Sequence, residues 1–350
     1  MAIFSGLLDA FSSEFGIDLG TANTLVYVQG QGVVLNEPSI ISVGYRDGKP
    51  HTLAVGKDAK QMIGRTPDSI RAIRPMRNGV IADFEMAGMM LEHFIRRVHR
   101  NRSFISPRIA VCIPSGATQV ERRAIRESAE STGARDVVLI EEPMAAALGA
   151  DMPIMESNAS MVVDIGGGTT EVGIISLGGL ATTRSVQLGG DKLDQALITY
   201  VRNNFQLQLG EQSAENLKKD IGSVCLPEDG TDGQTCTVRG MDLTTGLPRE
   251  IEVSERHMYE AYSETVDQIA ETVRDALRHT SPELAADLVN QGVLLTGGGA
   301  LLKGIDKVIR DTTGLPVAVH DEPLFCVAYG TGKLLGNRLL LRQLAQIGSG

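Results

Sequence analysis

Two stretches of the chain follow one plan. Ile17-Asp18-Leu19-Gly20-Thr21-Ala22-Asn23-Thr24 and Val163-Asp164-Ile165-Gly166-Gly167-Gly168-Thr169-Thr170 each end an apolar strand on an aspartate, turn through glycines and hydroxyls, and resume as a strand. The first resumes as Leu25-Val26-Tyr27-Val28, turns from Gln29 to Gly32 and returns through Val33-Val34-Leu35. The second runs from Val172 to Leu177, turns at Gly178-Gly179 and returns through Leu188. Both loops therefore sit at the heads of β-hairpins, where a duplicated domain would place them. A glycine-rich turn by itself can be nothing more than a tight hairpin. Beside an aspartate, however, its N–H groups and hydroxyls can converge on an anion while the carboxylate holds a hydrated Mg²⁺. Two such loops facing each other across a cleft would grip the phosphates of one nucleotide from both sides.

The rest of the pattern is α/β. At 350 residues the chain has room for about two domains. Residues 109–113 and 137–140 read as buried strands separated by a helix from Glu121 to Ser131. Ser254 caps a long helix to about His279, Pro282 opens another, and Val293 to Thr296 returns as a strand. Leu226 to Gln234, rich in Pro, Gly and Asp, reads as a surface loop within one lobe.

Other phosphate motifs fail on context. A dinucleotide fingerprint opens a helix, whereas Gly166 to Thr170 opens a strand. Gly330-Thr331-Gly332-Lys333 has the end of a P-loop, but Val327 stands at the first Gly position and Leu334 at the Ser/Thr position, so it reads as helix packing. With 33 basic against 43 acidic residues, there is no electrostatic footprint for nucleic acid. The four cysteines form no CxxC pair and read as reduced thiols of a cytosolic protein. No basic residue precedes Arg46, so no secretory signal is expected, and no apolar run is long enough to cross a bilayer. His51, His93, His99, His257, His279 and His320 are isolated and suggest no competing metal site.

A third glycine run, Leu294-Leu295-Thr296-Gly297-Gly298-Gly299-Ala300-Leu301-Leu302, leaves a strand for a helix and lets backbone approach a flat ligand such as a base. Together with Glu141-Glu142-Pro143-Met144-Ala145-Ala146-Ala147, the set resembles the actin-like ATPase superfamily, which includes sugar kinases and heat-shock chaperones. It is most similar to the bacterial rod-shape actin homologues. Asp18 to Thr24, Asn36-Glu37-Pro38-Ser39, Ile73 to Asp83, Glu141 to Ala147, Asp164 to Val172 and Leu295 to Leu302 all look like signature blocks of that family, with Asn78 standing where Asp is expected.

The resemblance implies a duplicated actin-like (ribonuclease H-like) two-lobed α/β fold with four subdomains and a central nucleotide cleft. Subdomain IA would comprise residues 1–35, 75–150 and 322–350, and IB 36–74; IIA would comprise 151–183 and 245–321, and IIB 184–244. ATP or ADP and Mg²⁺ would be the ligands, with Asp18 and Asp164 ordering the waters of the metal. Gly20, Thr21, Ala22, Asn23, Gly166, Gly167, Gly168 and Thr169 would hold the phosphates. Glu215, Asn216, Leu217 and Lys218 would meet ribose and adenine, with Gly297, Gly298, Gly299, Ala300 and Leu301 beneath the base. By their own pattern, Glu215 and Lys218 are ordinary helix-surface charges, so the resemblance carries that assignment. Glu142 follows a buried strand and precedes Pro143, so its carboxylate can either cap a helix or orient a water for in-line attack with Thr169 assisting.

Two segments suit a membrane surface. Ile3, Phe4, Leu7, Leu8 and Phe11 share one helical stripe, which either lies in the interface or packs on the protein. Phe104 and Ile105 form an apolar tip among Arg96, Arg97, Arg100, Arg102 and Arg108, suited to anionic lipid. The family resemblance implies a homopolymer on the inner face of the cytoplasmic membrane, working with membrane proteins of the cell-elongation machinery. The rival reading is a small-molecule kinase on the same scaffold. A chaperone is disfavoured because only about twenty residues follow Gly330.

Overall fold

In the computed structural model, which describes residues 14–46, 48–99, 106–227 and 230–347, the first aspartate loop joins β1 (Glu14–Leu19) to β2 (Asn23–Val28). β3 (Gly32–Pro38) completes an antiparallel meander. β4 (Ile41–Arg46), β5 (Lys49–Val55) and β6 (Ile70–Ile73) form a separate small sheet in the order β5-β4-β6. β7 (Met76–Arg77) and β8 (Val80–Ile81) make a hairpin whose turn residues, Asn78 and Gly79, have φ of 51° and 77°. Asn is among the few residues that tolerate this left-handed region, so the change from Asp costs the turn little. β9 (Arg108–Ile113) and β10 (Asp136–Glu141) then lie parallel beside β1, giving the order β10-β9-β1-β2-β3.

The second aspartate loop repeats the arrangement. It joins β11 (Ser160–Ile165) to β12 (Thr170–Ser176), followed by β13 (Gly179–Val186). β14 (Leu207–Gln208), β15 (Thr235–Asp242) and β16 (Pro248–Ser254) form a small sheet. β17 (Val293–Thr296) and β18 (Val317–Val319) return parallel beside β11, giving the order β13-β12-β11-β17-β18. In both large sheets the aspartate strand is central, its own hairpin lies on one side, and two later parallel strands lie on the other.

By contacts the chain divides into residues 1–157, 175–180 and 324–350, and residues 158–174 and 181–323. The first unit's core joins Phe15, Ile17, Ile109 and Val111 of the sheet to Met90, Leu91 and Phe94 of the helix Phe84–His99. The second joins Met161, Val163 and Leu295 to Leu193, Leu197 and Val201 of the helix Gly190–Phe205, and to Met258, Tyr262, Val266, Ile269 and Val273 of the helix Glu255–Arg278. Those last five recur at intervals of three and four, the apolar stripe of an amphipathic helix.

Several boundaries differ by a residue or two from the sequence reading, for local reasons. The helix expected from Glu121 begins at Gln119, because Thr118 and Glu121 close a capping box before it. The second hairpin turns at Leu177-Gly178, at φ 51° and 77°, and Gly179 already belongs to β13. Ser254 caps Glu255–Arg278, and Ser281 caps Pro282–Gln291. Gly330 and Gly332 do serve packing. A Cβ on Gly330 would stand 1.8 Å from the Ala145 carbonyl oxygen, and one on Gly332 would stand 2.1 Å from the Tyr27 ring. Lys333 Nζ donates to the carbonyls of Leu148 and Gly149, closing the helix Glu142–Gly149 at its C-terminal end.

Candidate functional site

The first half-site is built where β1 ends. Ile17 pairs with Val111 on β9, so the next residues along, Asp18 and Cys112, are neighbours, and the Cys112 thiol donates to Asp18 Oδ1 at 3.2 Å. Burial pushes the Asp18 carboxyl up to about 6, with the thiol bond pulling it down. The thiol is itself pushed well above its usual range by burial and by the charges of Asp18 and Glu142, which keeps it protonated as a donor.

The Gly20–Asn23 turn is held from behind. Ser39 Oγ donates to the Gly20 carbonyl at 2.6 Å, and Ser39 N donates to the Ala22 carbonyl at 2.9 Å. A trans peptide points its C=O and the following N–H in opposite directions, so the N–H groups of Thr21 and Asn23 are turned away from Ser39. The Thr21 hydroxyl accepts from Gly79 N at 3.0 Å, which ties the loop to the β7–β8 turn. Gly20 cannot be replaced cheaply: a Cβ would stand 2.7 Å from the Asn23 carbonyl oxygen.

Glu142 is the first residue of the helix Glu142–Gly149, only 8% exposed, with Pro143 one position later than a strict first-residue proline. Glu141 faces elsewhere, accepting from Arg122 Nη2 at 2.7 Å. Its neighbour's charge reaches Cys112, so Asp18, Cys112 and Glu142 form one cluster at the ends of β1, β9 and β10.

The second half-site repeats the geometry with different braces. Asp164 pairs with Thr296 on β17, whose hydroxyl donates to Asp164 Oδ1 at 3.0 Å. The turn closes through Gly166 N to the Thr169 carbonyl at 2.8 Å. Behind it, Gly190 N donates to the Gly166 carbonyl at 3.0 Å and Asp191 N to the Gly167 carbonyl at 2.8 Å. The N–H groups of Gly167 and Gly168 are therefore turned away from that helix. Gly189 is required here, since a Cβ would stand 2.5 Å from the Gly166 carbonyl oxygen. Thr169 is buried, and the Thr170 hydroxyl is committed to the Leu188 carbonyl.

Among the described residues no group of three or more His, Cys, Asp or Glu could cage a metal. Asp18 in the first unit and Asp164 in the second are each a single carboxylate beside a glycine loop, the kind of donor that Mg²⁺ held mainly through waters and ligand phosphates uses.

The residues expected at ribose and base also make contacts within the protein. The Lys218 ammonium donates to the Gly190 carbonyl at 2.8 Å and to Asp194 Oδ2 at 2.9 Å. The Leu217 side chain lies in the core at 2% exposure, because it faces the buried side of the helix Glu211–Ile221. Glu215 pairs with Lys219 one turn on, and Asn216 accepts from Gln212. In the third glycine run, the close approach is largely internal. A Cβ on Gly297 would stand 2.4 Å from the Ile165 carbonyl oxygen and one on Gly299 2.2 Å from Ile165 Cγ2, which leaves Gly298 as the exposed glycine. Ala300 is buried and Leu301 is 59% exposed.

Sequence reasoning missed Cys112, Ser39's bracing role, Gly189, Gly190, Asp194 and Thr296. The paired glycines before an uncapped helix at Gly189-Gly190 were the one local signal. The membrane candidates Ile3, Phe4, Leu7, Leu8, Phe11, Phe104 and Ile105 lie outside the described residues. Among the described residues no helix is long and apolar enough to cross a membrane.

Residues 12–343 match the family model of the MreB/Mbl protein. The chain is 54% identical over 329 residues to the cell shape-determining protein MreB of Escherichia coli K12, covering 93% of this chain and 94% of that protein. It is 44% identical over 327 residues to the cell shape-determining protein Mbl of Bacillus subtilis, covering 93% and 97%. The crystal structure of MreB5 of Spiroplasma citri bound to AMPPNP superimposes with a TM-score of 0.87 at 35% identity, covering 96% of this chain and 99% of that one. The fold is also that of the MamK double helical filament, with a TM-score of 0.77 at 21% identity and coverage of 93% and 99%. The architecture is thus the actin-like fold.

Proposed function

The chain belongs to the MreB/Mbl family, and on that premise we propose that it is a cytoskeletal actin-like ATPase whose filaments organise cell-wall synthesis and so maintain a rod shape. One observation carries the reading. In each unit an aspartate stands next to last on the central strand, and the loop after it has its carbonyls tied back so that N–H groups face the other way. A nucleotide is the ligand such a pair of loops suits. Relatives solved with AMPPNP and with ADP support ATP and ADP as that nucleotide.

In this reading Asp18 and Asp164 order the waters of Mg²⁺, which when bound offsets the charge of the phosphates. The backbone of Gly20 to Asn23 and of Gly166 to Thr169 binds the phosphates, Glu215 serves the ribose, and Gly298 lies beneath the base. Glu142 orients the attacking water with Thr169 assisting, because phosphoryl transfer depends mainly on positioning and charge. ATP favours head-to-tail assembly and hydrolysis loosens the filament. The four-subdomain division, the cytoplasmic location and the contact with anionic lipid through the N-terminal stripe and the Phe104-Ile105 tip belong to the same proposal. So do membrane partners from the elongation machinery. Many weak anchors on one filament would bind lipid far better than one.

The test is to add Mg-ATP to purified protein and follow pelleting and phosphate release together. Pelleting with release supports the proposal. Protein that stays in the supernatant while phosphorylating a small molecule would make it a kinase.

A further inference from the structure

Glu37 is a buried carboxylate, 6% exposed, outside both phosphate loops. It stands on β3, paired with Thr24 of β2, and each of its oxygens takes a donor from a different helix. Oε2 accepts from Lys57 N at 2.9 Å, at the start of the helix Lys57–Met62, and Oε1 accepts from Arg97 Nη1 at 2.9 Å, in the last turn of the helix Phe84–His99. Gly56 makes room for the first of these bonds. Its φ of 72° lies in the region that favours glycine, and a Cβ there would stand 2.6 Å from Glu37 Oε2. Gly56 N also donates to the Ile40 carbonyl at 2.9 Å. Residues Glu37 to Ile40 are therefore fastened at both ends to the Gly56-Lys57 step, by a side chain at one end and a backbone carbonyl at the other.

Ser39, which braces the Gly20–Asn23 loop through its hydroxyl and its N–H, lies inside that fastened segment. Pro38 beside it has a fixed φ and restricts Glu37 as well, so the step from Glu37 to Ser39 has little play. A buried ion pair is weak evidence for stability, and its better-attested use is to hold one arrangement among several.

We propose that Glu37 is a positioning residue for the first half-site. Tied to Lys57 N and to Arg97, it sets where Ser39 sits, and so the direction in which the Gly20–Asn23 loop presents its N–H groups. The effect on a ligand rests on the nucleotide reading above; the structural content, that Glu37 holds the Ser39 brace, stands apart from it. Because Glu37 governs both the hydroxyl and the N–H of Ser39, losing it should loosen the loop more than losing the hydroxyl alone.

The experiment compares the full chain with Glu37→Ala, Glu37→Gln and Arg97→Met. Binding of Mg-ATP and of Mg-tripolyphosphate, which has no ribose or base, is measured for each. Hydrogen exchange without ligand is followed at the Ser39 amide, bonded to the first loop, and at the Gly190 and Asp191 amides, bonded to the second. Glu37→Ala should weaken both ligands about tenfold, the low end of what losing an orienting partner costs. It should speed exchange at Ser39 and leave Gly190 and Asp191 as in the wild type. Glu37→Gln keeps an acceptor for Lys57 N but loses the charge that faces Arg97, so it should fall between the wild type and Glu37→Ala. Arg97→Met should also weaken both ligands and speed exchange at Ser39.

If folded Glu37→Ala binds both ligands as the wild type does, or leaves exchange at Ser39 unchanged, the proposal is wrong. Weakening of ATP alone would place the effect at ribose or base and overturn it too. So would exchange that rises equally at Ser39, Gly190 and Asp191, since that is a general loss of stability. Should Glu37→Ala not fold, the same readings on Glu37→Gln and on Arg97→Met, whose side chain is 57% exposed, decide the matter. If the wild type binds neither ligand, the nucleotide reading fails, and exchange at Ser39 still decides whether Glu37 holds the brace.

Discussion

In the first unit the loop carbonyls are held by one serine just after β3; in the second they are held by the N-terminus of a 16-residue helix. The donors to the two aspartates differ as well: a thiol from β9 reaches Asp18, and a hydroxyl from β17 reaches Asp164. Common to both are the strand order, the central aspartate and the direction in which the loop peptides face. Duplication has kept the arrangement that presents N–H groups and let the braces diverge. The units differ most beyond the outer parallel strand. β10 leads into a buried helix that begins with Glu142, whereas β18 leads to a short 3₁₀ turn at Pro323–Phe325.

That last difference can be broken most decisively. If the units divide the labour, Glu142→Ala should lower phosphate release by about 10²-fold or more, the scale of a positioned proton-transfer group, with nucleotide binding and assembly retained. Unchanged turnover would remove Glu142 from the chemistry and leave the two units functionally alike.

The next test concerns the cost of keeping Asp18 ionised. Its folded value of about 6 lies above the roughly 3.9 of an unfolded aspartate, so the folded state favours the protonated form. The resulting stabilisation is complete below about pH 4 and is lost as pH rises through about 6. Asp18→Asn should therefore raise the ligand-free stability at pH 7.5 by roughly 1–2 kcal/mol once partial exposure is discounted, seen as a higher melting temperature. The gain should shrink toward pH 4, and Mg-dependent nucleotide binding should fall. A variant no more stable than wild type at pH 7.5 would show that Asp18 is not strained by burial.

A smaller effect separates the two braces. Ser39→Ala deletes the bond to the Gly20 carbonyl and the contact with Thr24 Oγ1, at a cost of roughly 1 kcal/mol. Its backbone bond to Ala22 survives, so affinity for Mg-nucleotide should drop only a few fold. Calorimetric titration of the variant against wild type measures this, and equal affinities would mean the backbone bond alone suffices.

The parts of the site that sequence reading reached are those written locally. Asp18 and Asp164 with their glycines and hydroxyls fall within two eight-residue stretches, and the hairpin behind each follows directly in sequence, so local spacing pointed to them. The same holds for the rejected P-loop at Gly330 to Lys333, where two mismatched positions were enough. What spacing could not show is where a side chain turns once strands pair. Lys218, by its own pattern a helix-surface charge, is held by Asp194 from a different helix. Leu217 fell inside a binding block and faces the core. Gly297 and Gly299, expected beneath a base, also leave room for Ile165. Cys112 and Thr296 carried no motif at all, because their role comes from strand register alone, which sets each beside an aspartate more than ninety residues away in sequence.

The finest test makes the two half-sites alike at that register position. A thiol is a weaker hydrogen-bond donor than a hydroxyl, and the carboxylate is the form that gains from accepting. Cys112→Ser should therefore stabilise ionised Asp18 and move its titration below about 6 by a fraction of a unit, toward the hydroxyl arrangement seen at Asp164. Cys112→Ala removes the donor, so the same titration should move upward. The side-chain carbonyl signal of labelled aspartate, followed against pH in protein free of Mg²⁺ and nucleotide, reads both shifts. Opposite directions for the two variants would make the thiol a working part of the first half-site. If neither variant moves the midpoint, burial alone sets the Asp18 value, and the divergence between Cys112 and Thr296 has no electrostatic consequence for the aspartates they face.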